Sequence, residues 1–153
     1  MKIGVISDTH GFLDPTVETI FAGVNHILHA GDIGDPIIPL ELGFIAPTTT
    51  VIGNNDPGMS FPETDVITLG GKKFLVHHIV NPYSPSERLA PRLKRDRPDV
   101  VVFGHTHKRF CETVNGVMYF NPGYSGRMKH GTDRSVAILH VSDHGIRHEF
   151  VTL

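Results

Sequence analysis

Short apolar runs alternate with helix-type patterns along the first third of the chain. Residues 2–7 read KIGVIS, a β-branched run typical of a buried strand. Residues 14–24 carry apolar side chains at helical spacing behind an N-cap aspartate and a proline. Residues 26–32 and 48–53 are predicted as two more strands, with a short helix over 36–46 between them. Because strands and helices alternate, we expect a largely parallel sheet covered by helices.

The rest of the chain is predicted to be mainly β structure. Residues 65–79 alternate around a Gly-Gly pair, which indicates a hairpin. Residues 84–95 have the pattern of a helix capped by Ser84, and residues 99–104 (DVVVFG) form the most apolar strand. Two more hairpins are predicted further on, over residues 109–121 and 135–153.

The composition is that of an ordinary soluble globular protein. Of the 153 residues, 39% are hydrophobic and 20% are charged, and no linker or repeat interrupts them, so residues 1–153 are expected to form one domain. The net charge of −2 gives no electrostatic case for binding nucleic acid or an anionic membrane. The single cysteine, Cys111, excludes an intrachain disulfide. Because the sequence shows neither a signal peptide nor a membrane span, a cytoplasmic location is expected.

Polar side chains collect where the predicted strands end. Ligands of open α/β sheets bind beyond the carboxyl ends of the strands, so these side chains are expected to share one pocket. Tight strand-end turns and close backbone approach favour glycine, which the sequence provides at Gly11, Gly31, Gly53 and Gly104. The polar residues, in chain order, are Asp8, His10, Asp32, Asn54, His77, His78, His105 and His107.

Two pairs among them have the same spacing. Asp8 and His10 are two apart, as are His105 and His107, so in extended backbone both side chains of a pair face one side. Imidazole, carboxylate and amide oxygen without thiolate favour Mn, Fe, Zn, Co or Ni over a cysteine-type structural zinc site. Any one aspartate or asparagine could instead be a cap or turn residue, but the joint pattern favours a metal site.

These motifs resemble the ordered signatures of the calcineurin-like metallophosphoesterases. SDTHG, AGD, GNND, a strand-end histidine and GHTH occur in the family's order before about Arg127. NPG at residues 121–123 is similar to the family's compact bacterial and archaeal phosphodiesterase branch. The resemblance implies an α/β fold, a four-layer α/β/β/α sandwich with two mixed β-sheets. It also implies hydrolysis of phosphodiesters, or else of phosphomonoesters, by in-line attack of a hydroxide that bridges two metal ions.

The resemblance implies a site for two divalent metal ions. Manganese is expected first, with zinc, iron, nickel or cobalt as alternatives. Two such ions bring four positive charges against two carboxylates, so the site stays net positive and supplies the attraction for phosphate that the whole chain lacks. The implied ligands are Asp8, His10 and His107 for one ion, Asn54, His77 and His105 for the other, and Asp32 as the bridge.

The match departs from the family at two places. Many relatives have a proton-donating histidine after the asparagine of the third signature, where this chain has Asn55, which can at most hydrogen-bond to phosphate. In the fourth signature, His77 aligns with the first histidine and His78 replaces a glycine. His78 is therefore a candidate replacement proton donor and equally a candidate obstruction. With Asp32 and Asn54 it completes the implied catalytic set.

The neighbouring residues allow plainer interpretations. Arg127 and Lys129 could contact the substrate phosphate, but an ordinary solvated stretch explains them equally well. Asp56 is expected to be a turn or supporting residue, and His29 to pack beside the site as a strand residue.

The sequence leaves other functions open. A catalytically weak or inactive scaffold for protein interactions could use the same fold, although every expected ligand is retained. A nuclease is disfavoured because the sequence has no basic stripe. The expected partner is a small phosphate ester rather than a membrane or nucleic acid, and a homo-oligomer is left open.

Overall fold

Ten strands and three helices make up the structure, a computed structural model that describes residues 1–153. The strands are β1 (Lys2–Ile6), β2 (His26–His29), β3 (Thr48–Thr50), β4 (Thr64–Leu69), β5 (Lys72–His77), β6 (Val100–Val102), β7 (Arg109–Val114), β8 (Val117–Pro122), β9 (Ser135–Ser142) and β10 (Gly145–Thr152). The helices are α1 (Thr16–Ile20), α2 (Ile37–Ile45) and α3 (Ala90–Asp96). None of these helices has the length and apolar character needed to cross a membrane.

The strands form two five-stranded sheets, and both sheets are mixed. The first sheet has the order β10-β9-β1-β2-β3, in which β1, β2 and β3 are parallel and β9 and β10 are joined antiparallel. The second sheet has the order β4-β5-β6-β8-β7, in which β5, β6 and β8 are parallel and β4 and β7 are antiparallel edges. All the parallel strands of a sheet therefore end at the same edge.

Three apolar clusters hold the layers together. The cluster between the sheets includes Val5 of β1 and Val76 of β5, both fully buried. Because side chains alternate along a strand, the next residue of β1, Ile6, faces outward and packs with α1 and α2. On the outer face of the second sheet, Leu93 of α3 packs against a third cluster. The resulting order of helices, sheet, sheet and helix confirms the predicted four-layer sandwich.

The three predicted hairpins are confirmed. Gly70 and Gly71 join β4 to β5 with φ angles of 57° and 77°. A two-residue turn of this kind needs positive φ at both positions, which glycine adopts without steric cost. The other two hairpins are β7–β8 and β9–β10.

Helix α1 is shorter than predicted. The N-cap position is Pro15 rather than the predicted Asp14, which lies one residue earlier and accepts the Thr16 amide on its Oδ1 at 3.0 Å. The helix ends at Ile20 rather than at residue 24. Gly23 has left-handed backbone, with φ 79°, and the chain turns there toward β2.

The predicted start of α3 at Ser84 is wrong, because the helix begins at Ala90. The side-chain oxygen of Asn81 accepts the Ser84 amide at 3.2 Å, so this amide belongs to a local turn. Oγ of Ser86 accepts the Leu89 amide at 3.3 Å in the turn that precedes the helix, and Leu89 occupies the N-cap position without a side-chain capping bond. The residue that was predicted to cap the helix therefore lies in the turn at Asn81, and the helix starts later.

Candidate metal centre

The parallel strands of both sheets bring their carboxyl ends to one edge of the sandwich. In the first sheet, Asp8 follows β1 and Asp32 follows β2; in the second, His78 follows β5 and His107 follows β6. Nε2 of His107 lies 3.2 Å from Oδ1 of Asp8. Nε2 of His78 lies 3.3 Å from Oδ2 of Asp32. The two sheets therefore contribute to one cluster of carboxylates and imidazoles.

The backbone at these strand ends is left-handed rather than extended, contrary to the expectation from the two-residue spacing. Residues other than glycine rarely have positive φ, and each such residue costs on the order of 1–3 kcal/mol. Backbone hydrogen bonds hold the strained loops, with the Asp8 amide donating to Gly31 and the His10 amide to Asp32, both at 3.0 Å. Strain of this kind concentrates at functional sites. The residues are Asp8 (φ 57°), His10 (46°), Asp32 (52°), His105 (68°) and His107 (58°).

Glycines let the loops approach one another closely. A Cβ on Gly104 would lie 2.0 Å from Oγ of Ser7 and 2.6 Å from Oδ2 of Asp8. A Cβ on Gly53 would lie 2.1 Å from Oδ1 of Asp32. Any side chain at either position would therefore displace a carboxylate of the cluster.

Replacing Gly104 with Ala is expected to destabilise the protein by about 1–3 kcal/mol, because the methyl group must push Ser7 and Asp8 aside. Gly43 in α2 is the matched control, since a Cβ there meets no atom within 4 Å. Gly43→Ala is expected to stabilise the protein by about 0.4–1 kcal/mol. Urea denaturation of the two variants measures both effects. Equal stability of the two variants would contradict the close packing around Gly104.

One group of potential ligands consists of Asp8, His10 and His107. Nε2 of His10 lies 3.7 Å from Oδ1 of Asp8 and 3.4 Å from Nε2 of His107. The ring of Tyr124 packs against both imidazoles, with centroid distances of 4.7 Å to His107 and 6.0 Å to His10. Three potential ligand atoms thus lie close together, and the Tyr124 ring packs against the two imidazoles among these ligands.

A second group consists of Asp8, Asp32 and His78, and shares Asp8 with the first. Nε2 of His78 lies 3.9 Å from Oδ1 of Asp8, in addition to its contact with Asp32. Oδ2 of Asp32 also lies 3.6 Å from Nε2 of His10, so this carboxylate stands between the two groups. The arrangement offers two neighbouring positions for a cation.

Two ligand atoms of this cluster are buried without any hydrogen-bond partner, namely Oδ1 of Asp8 and Nε2 of His78. A buried polar atom that lacks a partner is costly, and native proteins rarely leave one. Both atoms face the interior of the cluster, and the nearby donor set is imidazole and carboxylate. The residues present therefore fit a divalent cation that would satisfy these atoms.

His78, rather than His77, reaches the cluster. His78 is 3% exposed, and its Nδ1 donates to the carbonyl oxygen of Ala30 at 2.6 Å. Since a carbonyl can only accept, the proton is on Nδ1 and the lone pair on Nε2 is free to bind a cation. His77 belongs to neither ligand group, and its Nδ1 bonds to Oγ1 of Thr64 at 2.8 Å, since adjacent strand residues face opposite sides. The sequence-based assignment of His77 as ligand and His78 as proton donor therefore does not match the placement of these side chains.

The two asparagines of GNND have different surroundings. Oδ1 of Asn54 lies 3.1 Å from Nδ1 of His105, and the His105 ring packs edge-on against His78 at 5.4 Å between centroids. Asn55 instead bonds to Asp32 twice, through its amide to Oδ1 at 2.9 Å and through Nδ2 to Oδ2 at 2.7 Å. Asn54 thus lies beside the cluster through His105, while Asn55, a predicted substrate contact, is hydrogen-bonded to the Asp32 carboxylate.

Several supporting residues fix the carboxylates, and sequence reasoning overlooked Ser7 among them. Oγ of Ser7 donates to Oδ2 of Asp8 at 2.7 Å, and the His105 amide donates to the same oxygen at 3.1 Å. Asp56 accepts the amides of Ile33 and Gly53 at 2.9 and 2.8 Å, which joins the loops after β2 and β3. Asp56 is therefore a supporting residue, as expected.

The charges of the cluster perturb one another. Burial opposes ionisation of Asp8, but His10 and the neighbouring imidazoles outweigh it and hold the pKa of Asp8 below its ordinary value. Asp8 in turn raises the pKa of His10 against the effect of burial. For His107, burial prevails and lowers the pKa. An ionised Asp8 beside a neutral His107 is suited to binding a cation.

His29 lies behind the cluster and is fully buried. Its Nδ1 accepts the Gly31 amide at 3.1 Å, and its Nε2 bonds to Oγ1 of Thr9 at 3.0 Å. Because the Thr9 hydroxyl donates to the carbonyl of Ile33, His29 carries its proton on Nε2 and is neutral. Burial lowers the pKa of His29 to about 4. His29 thus packs beside the site, as expected, and joins the loops that carry the carboxylates.

The low pKa of His29 predicts a loss of stability in mild acid. Below pH 6.5 the unfolded chain binds a proton at His29 that the folded chain does not bind until about pH 4, so the free energy of unfolding falls as pH falls. Between pH 7 and pH 5 the contribution is about 2 kcal/mol. Urea denaturation of the metal-free parent and of metal-free His29→Asn is measured at pH 7 and pH 5. The difference between their losses of stability is the contribution of His29, because the other titratable groups affect both proteins alike. Equal losses in the two proteins would contradict it.

Arg127, a predicted substrate contact, packs against an aromatic ring. Its guanidinium stacks on the Phe12 ring at 4.8 Å, and its carbonyl accepts a hydrogen bond from the Tyr124 hydroxyl at 2.9 Å. Lys129, by contrast, places its ammonium 5.0 Å from the Tyr124 ring centroid, and its charge lies near enough to His10 and His107 to oppose their protonation. Lys129 is therefore the basic residue of this loop that stands beside the cluster.

Comparison with known proteins places the chain in a family. The sequence model of the calcineurin-like phosphoesterase superfamily domain matches residues 1–144. The chain therefore belongs to the calcineurin-like phosphoesterases, a family that uses divalent metals.

The relatives include metallophosphoesterases and a phosphodiesterase. A probable metallophosphoesterase from Methanothermobacter thermautotrophicus is 33% identical, over 99% of this chain and 92% of the relative. A phosphodiesterase from Methanocaldococcus jannaschii is 29% identical, over 80% of this chain and 83% of the relative. The solved structure of an archaeal phosphodiesterase is 25% identical, with a TM-score of 0.77 and full coverage of both chains. Zinc-bound Vps29 from Entamoeba histolytica, at 24% identity and a TM-score of 0.75 over 99% of each chain, shares the fold.

Proposed function

We propose that this chain is a single-domain phosphodiesterase that works with two divalent cations, of which manganese is the first candidate. The observation that carries the proposal is the pair of overlapping ligand groups that share Asp8, in which Oδ1 of Asp8 and Nε2 of His78 are buried without partners. The family membership and the archaeal phosphodiesterases among the relatives support the reaction class.

The proposed ligand set replaces His77 with His78. Asp8, His10 and His107 would hold one cation, and His78, with Asn54 and His105 beside it, would hold the other. Asp32 would serve both, since its Oδ2 lies within 3.6 Å of Nε2 of His10 and of His78. Cations bound there would make a bound water acidic enough to ionise near neutral pH. Their positive charge would also offset the negative charge of the phosphoryl oxygens.

The protein's own residues orient this chemistry. Asn55 holds both oxygens of Asp32, and Ser7 holds the Asp8 oxygen that faces away from the cluster. Neither Asn55 nor His78 is free to protonate the leaving oxygen, because both side chains are committed to the cluster. The rate should therefore depend strongly on the acidity of the leaving alcohol, which favours aryl or similarly activated esters.

Assays of reconstituted protein test the proposal. Protein loaded with Mn, Ni, Co or Zn is expected to hydrolyse bis(p-nitrophenyl) phosphate with a higher kcat/KM than p-nitrophenyl phosphate. A reversed order would assign the site to monoesters. No turnover with any of the four metals would contradict the proposed activity and would favour a non-catalytic scaffold function.

A further inference from the structure

A polar cavity of about 340 Å³ opens directly beside His107. None of the residues that line it is hydrophobic, and they include Lys108, Arg109 and the hydroxyl side chains of Thr132 and Ser135. Because His107 belongs both to the cavity wall and to the metal centre, a molecule held at the centre can extend into this space. The cavity is large enough for part of a substrate that is not itself hydrolysed.

Cationic side chains surround this side of the centre. Lys108 and Arg109 line the cavity together with one carboxylate, Asp133, and Lys129 stands against Tyr124 next to His107. Three cations against one anion leave this side with a net charge of +2, while the whole chain carries −2.

These cations lack carboxylate partners. Lys108, Arg109 and Lys129 form no ion pair, whereas Arg92 and Arg134 pair with aspartates elsewhere. Arg109 is held in place by uncharged groups, since its Nη2 donates to Oγ1 of Thr152 at 2.7 Å and its guanidinium lies 5.7 Å from the centroid of a phenylalanine ring. Positive charge that is positioned but unpaired next to a phosphoesterase centre is suited to binding a further anion.

A second cavity at the centre differs from the first. It lies beside Asn54, His77 and His78, has a volume of about 150 Å³ and is walled in part by Ile52 and Ile79. Its one carboxylate, Glu63, pairs with Arg88 at 2.9 Å. The two arms of a phosphodiester would therefore meet unlike surroundings, a small and partly apolar space on one side and a larger cationic one on the other.

We propose that the substrate is a phosphodiester that carries a second phosphate group on one arm, and that Lys108, Arg109 and Lys129 bind this group on the His107 side. This inference rests on the proposed function, because it assigns the substrate class of the same centre. The second phosphate is not hydrolysed; it orients the diester and raises kcat/KM.

A matched pair of chromogenic substrates tests the inference. Thymidine 5′-(p-nitrophenyl phosphate) and its 3′-phosphorylated form differ only in the second phosphate; in both, water adds to phosphorus and p-nitrophenolate leaves. With Mn-loaded protein at low ionic strength, the 3′-phosphorylated substrate is expected to have a kcat/KM at least about tenfold higher. The preference should shrink at high salt, because the cations are exposed.

Charge variants assign the effect to these residues. In Lys108→Gln/Lys129→Gln the preference is expected to fall to about threefold or less. Lys94→Gln in α3, remote from the cavity, should keep the full preference. Equal kcat/KM for the two substrates, or a preference that survives in the double variant, would overturn the inference while leaving the proposed function intact. No turnover of either substrate would overturn the proposed function itself.

Discussion

Asp32→Asn is expected to lower kcat/KM for an aryl phosphodiester by more than about 100-fold. Changes to groups behind the ligands of a metal site typically cost about 10–100-fold, and Asp32 is proposed to bridge both cations directly. The change removes one negative charge and one acceptor oxygen, while Asn55 would still present two donors to the side chain. Reconstituted variant and parent protein, assayed on bis(p-nitrophenyl) phosphate, give the ratio.

Asp35→Asn is the matched control for this experiment. Asp35 lies three residues further along the same loop, is exposed, and accepts the Ile37 amide at 2.9 Å at the start of α2. Asparagine caps helices about as well as aspartate, so activity and stability should stay close to those of the parent. Comparable activity in Asp32→Asn and Asp35→Asn would contradict a bridging role for Asp32.

The second large effect separates the two adjacent histidines at the end of β5. His78→Ala is expected to lower kcat/KM by about 100-fold or more and to reduce the metal bound per chain, because Nε2 of His78 faces the carboxylates. His77→Ala is expected to change kcat/KM by less than about tenfold, because His77 bonds to Thr64 outside the cluster.

Elemental analysis of both variants accompanies the kinetics. Metal loss in His77→Ala together with full retention in His78→Ala would restore the assignment that the sequence alone suggested. Loss in both variants would place a second histidine at the same cation, which the hydrogen bond between His77 and Thr64 argues against.

The sequence was sufficient for the architecture and for the location of the site. Apolar runs, turn glycines and alternating elements predicted a largely parallel sheet followed by three hairpins, and the resemblance to the metallophosphoesterases implied two mixed sheets in a four-layer sandwich. The polar residues after each run predicted a shared pocket for Asp8, Asp32 and Asn54. This worked because side-chain burial and strand direction are encoded locally, by period and by turn chemistry.

The choice between His77 and His78 could not be made in the same way. Neighbouring strand residues face opposite sides, and a pattern of two adjacent histidines does not say which side is inner. The signal that could have decided it is the alternation of Phe74 and Val76, which line the core between the sheets and place His78 on the same side. The alternation is visible in the sequence, but the inner side is defined only when the sheets pack.

The left-handed backbone of Asp8, His10 and His107 could not be predicted from the sequence either. Local preference favours extended or helical backbone for these residue types, and the strain is sustained by hydrogen bonds to loops far along the chain, such as that from the Asp8 amide to Gly31. The predicted start of α3 was wrong because Ser84 lies in a turn at Asn81 instead of capping the helix.

The central claim is that two cations in this cluster produce phosphodiesterase activity. The most direct measurement is a titration of metal-free protein with Mn²⁺, at protein concentrations well above the dissociation constants, while hydrolysis of bis(p-nitrophenyl) phosphate is followed. Activity is predicted to rise until two equivalents per chain are bound and then to level off. Activity that levels off at one equivalent, or that never appears as metal binds, would contradict the claim.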